Sequence, residues 1–382
     1  MTGIGGRPSR RGFLGSAAAL LCGTALAAEP APSSRAQLLH DGESALARGD
    51  TAGATASFER AAAMLHAADT EMALVRAAMQ AGAYRQALAF CAHTAGAHHD
   101  AADASALYAW LLQAGGQGAY AARVLDEAGV LAPDDEVLAE ARRQLQSAAP
   151  RATPLLLQLP HRIAPRAVML GGQPAIDAGA VTAGSGVLVD AGRRALVPLS
   201  TVRQATGLWL RDGLGLTTRA EVETADETLG LALLRLAVPL DPGPVADGLR
   251  MAARDPFPGS PGFAVEFHAG AQADPGWPWL QLGFLGSPQG ASGARRLGIT
   301  LPLGEPRGGP VFDAAGRLAG IVVAGGDGAD RWLPPSLLHG ALGEPIGIAA
   351  AAPEPAGPSA RLQPDEVYER SLRVALQLIT TR

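Results

Sequence analysis

Glycine returns at positions 49, 82 and 116, at intervals of 33 and 34 residues, and each return opens a similar run of small and large apolar residues. After Gly49 come Ala54, Phe58 and Ala61. After Gly82 come Tyr84, Ala87 and Phe90, and after Gly116 come Ala121, Leu125, Ala128 and then Pro133. This period fits one helix–turn–helix unit: small residues sit where two antiparallel helices approach, large ones fill the gap, and glycine turns the corner. No single unit can bury its apolar face alone, so the stretch from Leu38 to Leu145 is constrained to stack its units, with a flanking helix from Asp135 to Leu145.

The pattern resembles tetratricopeptide repeats, and the resemblance implies a concave groove, over 38–147, that holds a peptide or a partner helix. Such repeats carry no chemistry of their own. His93, His98, His99 and Asp100 cluster at an inter-repeat loop but lack a further ligand at helical i, i+4 spacing, so they are expected to be a solvated loop and no metal site is assigned.

Composition narrows the function classes. Lys+Arg 31 against Asp+Glu 36 gives a net charge of −5 without any basic tract, which argues against nucleic-acid binding. Lysine and asparagine are absent altogether, so a motif missing either is weak evidence here. Residues 1–28 are expected to be an export signal. Ser9-Arg10-Arg11-Gly12-Phe13-Leu14 resembles a twin-arginine signal, an apolar run follows to Leu26, and Ala25-Leu26-Ala27 offers a cleavage site near Ala27. That run is too short and interrupted to span a membrane, which takes about 20 apolar residues. The expected location is the periplasm. After cleavage only Cys91 would remain, which excludes an intrachain disulfide.

Past a Pro-containing connector the apolar period changes from 3.6 to 2, with short strands between Gly-rich turns, as in an all-β barrel pair over 165–345. Six strands are expected in each half. The first six run from Ala167–Leu170 to Leu231–Leu236, and the second six from Leu249–Ala253 to Leu318–Val323. An Ala/Pro linker (346–361) and a helix-then-strand segment (362–382) follow. The expected fold is therefore multidomain: an α-helical solenoid, then an all-β double barrel.

Three ordered landmarks resemble trypsin-like serine proteases of the HtrA type. Gly184-Ser185-Gly186 is similar to the opening hairpin of those domains. Asp226 to Arg235, with Leu231-Ala232-Leu233-Leu234-Arg235, is similar to their D-L-A-L-L-R strand entry. Gly308-Gly309-Pro310-Val311 is similar to the strand after the nucleophile. The resemblance places Ser200 at the histidine position, Gly230 at the aspartate position and Arg307 at the nucleophile position. Hydrolysis needs a hydroxyl, an imidazole to take its proton and a carboxylate to orient that imidazole, and none of the three is present. Glu305 stands where a glycine lets the backbone stabilise developing negative charge. Asp226 is a candidate displaced carboxylate, but His161, His268 and His339 all fall away from the first-barrel side of the cleft.

The expectation is an exported protein-binding scaffold with an inactive trypsin-like domain, needing no cofactor. A protein or peptide partner would be held in the helical groove and in the barrel cleft. The candidate binding residues are Arg307 and Glu305, with Arg307 pairing with Glu305 or Asp313 or binding a carboxylate in the cleft, and Trp277 with Trp279 on a Gly/Pro-rich loop, as a contact surface or as packing. The alternatives are a serine endopeptidase with a non-standard site and a structural component of an envelope assembly or secretion system. The segment from Asp365 to Val374 resembles the helix and first strand that normally lead into an HtrA-type barrel. Lying at the opposite end, it is expected to fold back onto a barrel edge.

Overall fold

The computed structural model describes residues 33–243, 251–289, 293–302, 305–325, 328–342 and 361–381. The proposed export signal and most of the Ala/Pro linker lie outside the described residues. Seven helices come first: α1 (Arg35–Ala47), α2 (Thr51–Met64), α3 (Ala68–Ala81), α4 (Tyr84–Ala97), α5 (Ala102–Ala114), α6 (Gly118–Leu131) and α7 (Glu136–Leu145). The glycine period has a backbone cause. Gly49, Gly82 and Gly116 end α1, α3 and α5 at φ of 79°, 83° and 82°, left-handed values that disfavour any side chain. The apolar anchors Ala54, Phe58, Ala61, Tyr84, Ala87, Ala121, Leu125 and Ala128 are all buried, whereas Phe90 is exposed. Asp50 and Asp135 cap α2 and α7 by accepting from the Gly53 and Leu138 N–H groups.

The connector carries a short helix, α8 (Pro154–Leu157), and runs along the first helix of each pair. Glu43 of α1 binds Arg166 and also Arg76 of α3, at 2.6 and 2.7 Å. Arg76 donates to the Pro160 carbonyl at 3.2 Å, and His161 lies 3.4 Å from Asp103 of α5. Leu156 and Ile163 are buried there. This corrects the expectation of an open helical groove, since the chain's own connector lies along α1, α3 and α5. The other edge of the repeats is docked as well. Gly49 faces Val168 and Leu216, Gly82 faces Arg373, and Gly116 faces Leu280 and Leu282.

Two closed antiparallel barrels follow. The first contains β2 (Val181–Val189), β3 (Arg194–Pro198), β4 (Gly207–Asp212), β5 (Leu216–Asp226), β6 (Leu231–Leu236) and β13 (Ala375–Thr381), in the ring β5–β4–β13–β2–β3–β6. A two-residue strand, β1 (Val168–Met169), adds to β5 in parallel, and α9 (Leu199–Val202) follows β3. The second comprises β7 (Ser260–Glu266), β8 (Trp279–Pro288), β9 (Arg295–Gly298), β10 (Pro310–Asp313), β11 (Leu318–Ala324) and β12 (Asp330–Leu333), with α10 (Pro335–Leu342) after it. This is the trypsin-like double barrel.

Two strand expectations need correction. In the described part of 249–253, Met251 makes only an isolated bridge to Leu318, while β12 lies in a Gly/Asp-rich stretch that reads as a turn. The terminal segment does more than meet an edge. After α11 (Pro364–Ser371), β13 runs between β2 and β4, pairing Gln377 with Ser185 on one side and Arg211 on the other. It closes the first barrel. Its helix is held from both directions: Tyr368 packs on Tyr84 of α4 with ring centroids 4.5 Å apart and donates to the Pro278 carbonyl at 2.9 Å.

Among the described residues no helix is long and apolar enough to cross a membrane.

Candidate functional site

Ser200 on α9, Gly230 before β6 and Arg307 before β10 come from three separate elements, yet all three line one cleft of about 460 Å³. Its other walls include Glu305, Pro306 and the end of β11 from Val323 to Gly325. Among the described residues no histidine or cysteine lines it. His161 lies against α5, His268 is half-buried beside Trp279 at the start of β8, and His339 is on α10. Asp226 is a turn former whose carboxylate accepts from the Thr228 and Leu229 N–H groups at 2.8 and 2.9 Å.

Arg307 is buried, with its guanidinium fixed on a partner the sequence did not suggest. Its Nε and Nη2 donate to the two carboxylate oxygens of Asp330 on β12 at 2.5 and 2.9 Å, and Nη2 also donates to the Pro302 carbonyl at 2.9 Å. A two-point clamp of this kind holds the side chain in one geometry. Pairing with Glu305 or Asp313 is therefore corrected. Glu305 accepts from the Ala269 N–H at 2.6 Å and lies 3.4 Å from Arg151, while Asp313 accepts from Arg317 on its own hairpin.

The glycines of this loop are required by packing. A Cβ on Gly308 would sit 2.2 Å from the Ser185 carbonyl oxygen, and one on Gly309 would sit 2.0 Å from that of Val265. Gly308 is thus pressed against β2 of the first barrel and Gly309 against β7 of the second, so neither can carry a side chain.

Beneath the loop lies a carboxyl that sequence reading missed, Glu266 at the end of β7. One of its oxygens accepts from the Gly309 N–H at 3.1 Å, and the other is buried without a hydrogen-bond partner. Burial pushes this acid up to about 7, against the pull of Ser185, the Gly309 N–H and Arg307. A continuous apolar run could have flagged it, because Glu266 stands between Phe263-Ala264-Val265 and Phe267, all buried.

Trp277 and Trp279 are buried, and with Trp110 and His268 they line a pocket of about 470 Å³. Trp279 stacks edge-on to Trp110 of α5 at 5.3 Å between centroids and lies 5.3 Å from His268. Burial, with Arg151 nearby, lowers His268 to about 4, leaving it a neutral imidazole at ordinary pH.

No protein-family model matches the chain, and no curated protein matches its sequence. Among solved structures, the chain is similar to the MamO protease domain from Magnetospirillum magneticum in its apo form. The identity is 20% and the TM-score 0.31, covering 42% of this chain and 95% of that one. It is also similar to the HtrA-type protease AlgW with decapeptide at 18% identity and a TM-score of 0.35, covering 44% of this chain and 52% of that one. The architecture is established by the strand pairings above and not by these matches.

Proposed function

We propose that this protein is an exported, non-hydrolytic scaffold that takes an extended peptide in the cleft between its barrels. The observation that carries the reading is Arg307. A cleft of about 460 Å³ remains, while the side chain at the nucleophile position is a guanidinium clamped on Asp330. A guanidinium stays protonated and cannot attack a carbonyl. The cleft also offers main chain. Here β10 begins at Pro310 opposite Ile321, and among the described residues no strand pairs with Val323–Gly325 on that side. A peptide could add there as a strand, drawing affinity from backbone hydrogen bonds.

In this reading Arg307 and Glu305 shape the cleft and its rim, and the helical repeats brace the barrels, because the connector occupies their inner face. Export rests on the twin-arginine resemblance at Ser9–Leu14.

The test is a peptide-display selection on the full chain, run beside a serine-directed phosphonate probe and a casein digest. Selected peptides should lose binding in Ala324→Trp, which fills the cleft wall, and neither probe nor casein should react. Labelling or cleavage abolished by Ser200→Ala would establish an endopeptidase instead. Peptide binding untouched by Ala324→Trp would move the partner surface elsewhere.

A further inference from the structure

The helical repeats bring together three imidazoles and one carboxylate that the sequence keeps apart. His66 lies in the link between α2 and α3, Glu71 in the first turn of α3, His93 near the end of α4, and His98 just beyond it. Because α3 and α4 are antiparallel, the start of one meets the end of the other. The missing ligand for His93 and His98 therefore comes from the preceding helix and not from an i, i+4 position.

Glu71 is the centre of the group. Its Oε1 lies 2.5 Å from His66 Nε2 and 3.9 Å from His93 Nε2, and its Oε2 lies 3.4 Å from His98 Nε2. Candidate ligand atoms of His66, Glu71 and His93 all fall within 4.8 Å of one another. Two atoms here are orphans: Glu71 Oε2 and His98 Nε2 are both buried and neither has a hydrogen-bond partner, though they face each other. Glu71 itself is only 7% exposed. A buried carboxylate oxygen without a partner is costly, and a cation between it and the imidazoles would remove that cost.

We propose that His66, Glu71, His93 and His98 form a binding site for a divalent transition-metal ion of the zinc class. Three imidazole nitrogens with one carboxylate suit zinc, cobalt, nickel or copper and disfavour magnesium and calcium, which take oxygen ligands. Tetrahedral zinc holds its ligands at about 2.0–2.1 Å, which places them roughly 3.3–3.5 Å apart. The distances to Glu71 bracket that range, so small side-chain adjustments suffice. Bound there, the ion ties the α2–α3 link and the start of α3 to the end of α4, stapling the first two helical pairs. His66 and His93 are exposed, so the ion can enter from solvent. None of these four residues lines the barrel cleft.

The experiment is titration of the chelator-stripped full chain with Zn²⁺ by calorimetry, and with Co²⁺ by visible absorption. Saturable binding of one ion per chain is expected, with a rise in the thermal midpoint. Glu71→Gln and His98→Ala should each weaken binding at least tenfold, whereas His99→Ala, an exposed neighbour outside the cluster, should not. If either buried variant loses helical circular dichroism, the exposed His93→Ala carries the same expectation of a tenfold loss. Absence of saturable binding, or affinity unchanged by these ligand variants, would overturn the proposal.

Discussion

The two barrels are built to the same strand count but closed in different ways. The second is contiguous, its strands β7 to β12 spanning only residues 260–333. The first takes β13 from the far end of the chain and seats it between β2 and β4. Among the described residues each barrel region also buries one arginine. Arg211 in the first has neutral partners: the Gln377 amide and the Ala273 carbonyl from Nη1, and the Thr217 hydroxyl from Nε, all at 3.0 Å. Arg307 beside the second has the carboxylate of Asp330. Gln377 also donates to Thr182 and to the Asp274 carbonyl, so one amide joins β4, β13, β2 and a second-barrel loop. The comparison suggests that a strand arriving late in the sequence needs a polar lock to fix its register, because apolar alternation alone tolerates a two-residue slip.

The largest test of this contrast removes 361–382. Loss of a strand flanked on both sides should abolish folding of the first barrel. Hydrogen exchange should then show β2 to β6 unprotected, and any protection that survives should lie in β7 to β12. Equal protection of both barrels would mean that β13 is dispensable.

Next in size is the charged lock. Asp330→Asn leaves the buried Arg307 guanidinium without its carboxylate and should cost about 3–5 kcal/mol in urea unfolding, and Arg307→Met, which leaves the half-buried Asp330, should cost less. Neither variant should gain hydrolysis. Replacing both residues by apolar ones of similar volume should recover most of the loss.

Each barrel also holds an acid that burial shifts strongly upward, which makes a matched pH experiment. Burial pushes Asp212 of β4 and Glu266 of β7 each up to about 7, even though Asp212 accepts from the Leu214 and Leu216 N–H groups. In the unfolded chain both ionise near pH 4. Between roughly pH 4 and 7 the folded state therefore keeps protons that the unfolded state has released. Stability contributed by these groups falls as pH rises through that window and levels off above it. Asp212→Asn and Glu266→Gln should each flatten the fall by on the order of 2–3 kcal/mol, read as the difference between denaturant midpoints at pH 5 and pH 8.

The smallest effect belongs to the neutral lock. Gln377→Leu leaves Arg211 one acceptor short and should cost about 1–3 kcal/mol, less than breaking the charged pair. A cost equal to that of Asp330→Asn would erase the distinction between the two locks.

The helices were legible because their signal is local: glycine at a left-handed corner, then small and large residues at fixed offsets. Most strands were legible from alternation, and β12 was not, because its Gly/Asp-rich approach resembles a turn. At the cleft, the flanking motifs drew attention to Ser200, Gly230 and Arg307, which line one cavity, but the partner of Arg307 could not be read, since Asp330 lies 23 residues away on another strand. The two tryptophans illustrate the same limit. Their spacing on a Gly/Pro-rich loop says nothing of whether they will be buried, or that Trp279 will meet Trp110.

The sequence by itself determined the helices and most of the strands, because these follow from short-range pattern and backbone preference. Tertiary structure alone decided that the connector fills the repeats' inner face, that β13 closes the first barrel, that Arg307 is clamped to Asp330, and that three histidines converge on Glu71. Each of these joins residues far apart in the chain. Such contacts are selected by the burial and charge balance of the whole fold, to which no local stretch of sequence has access.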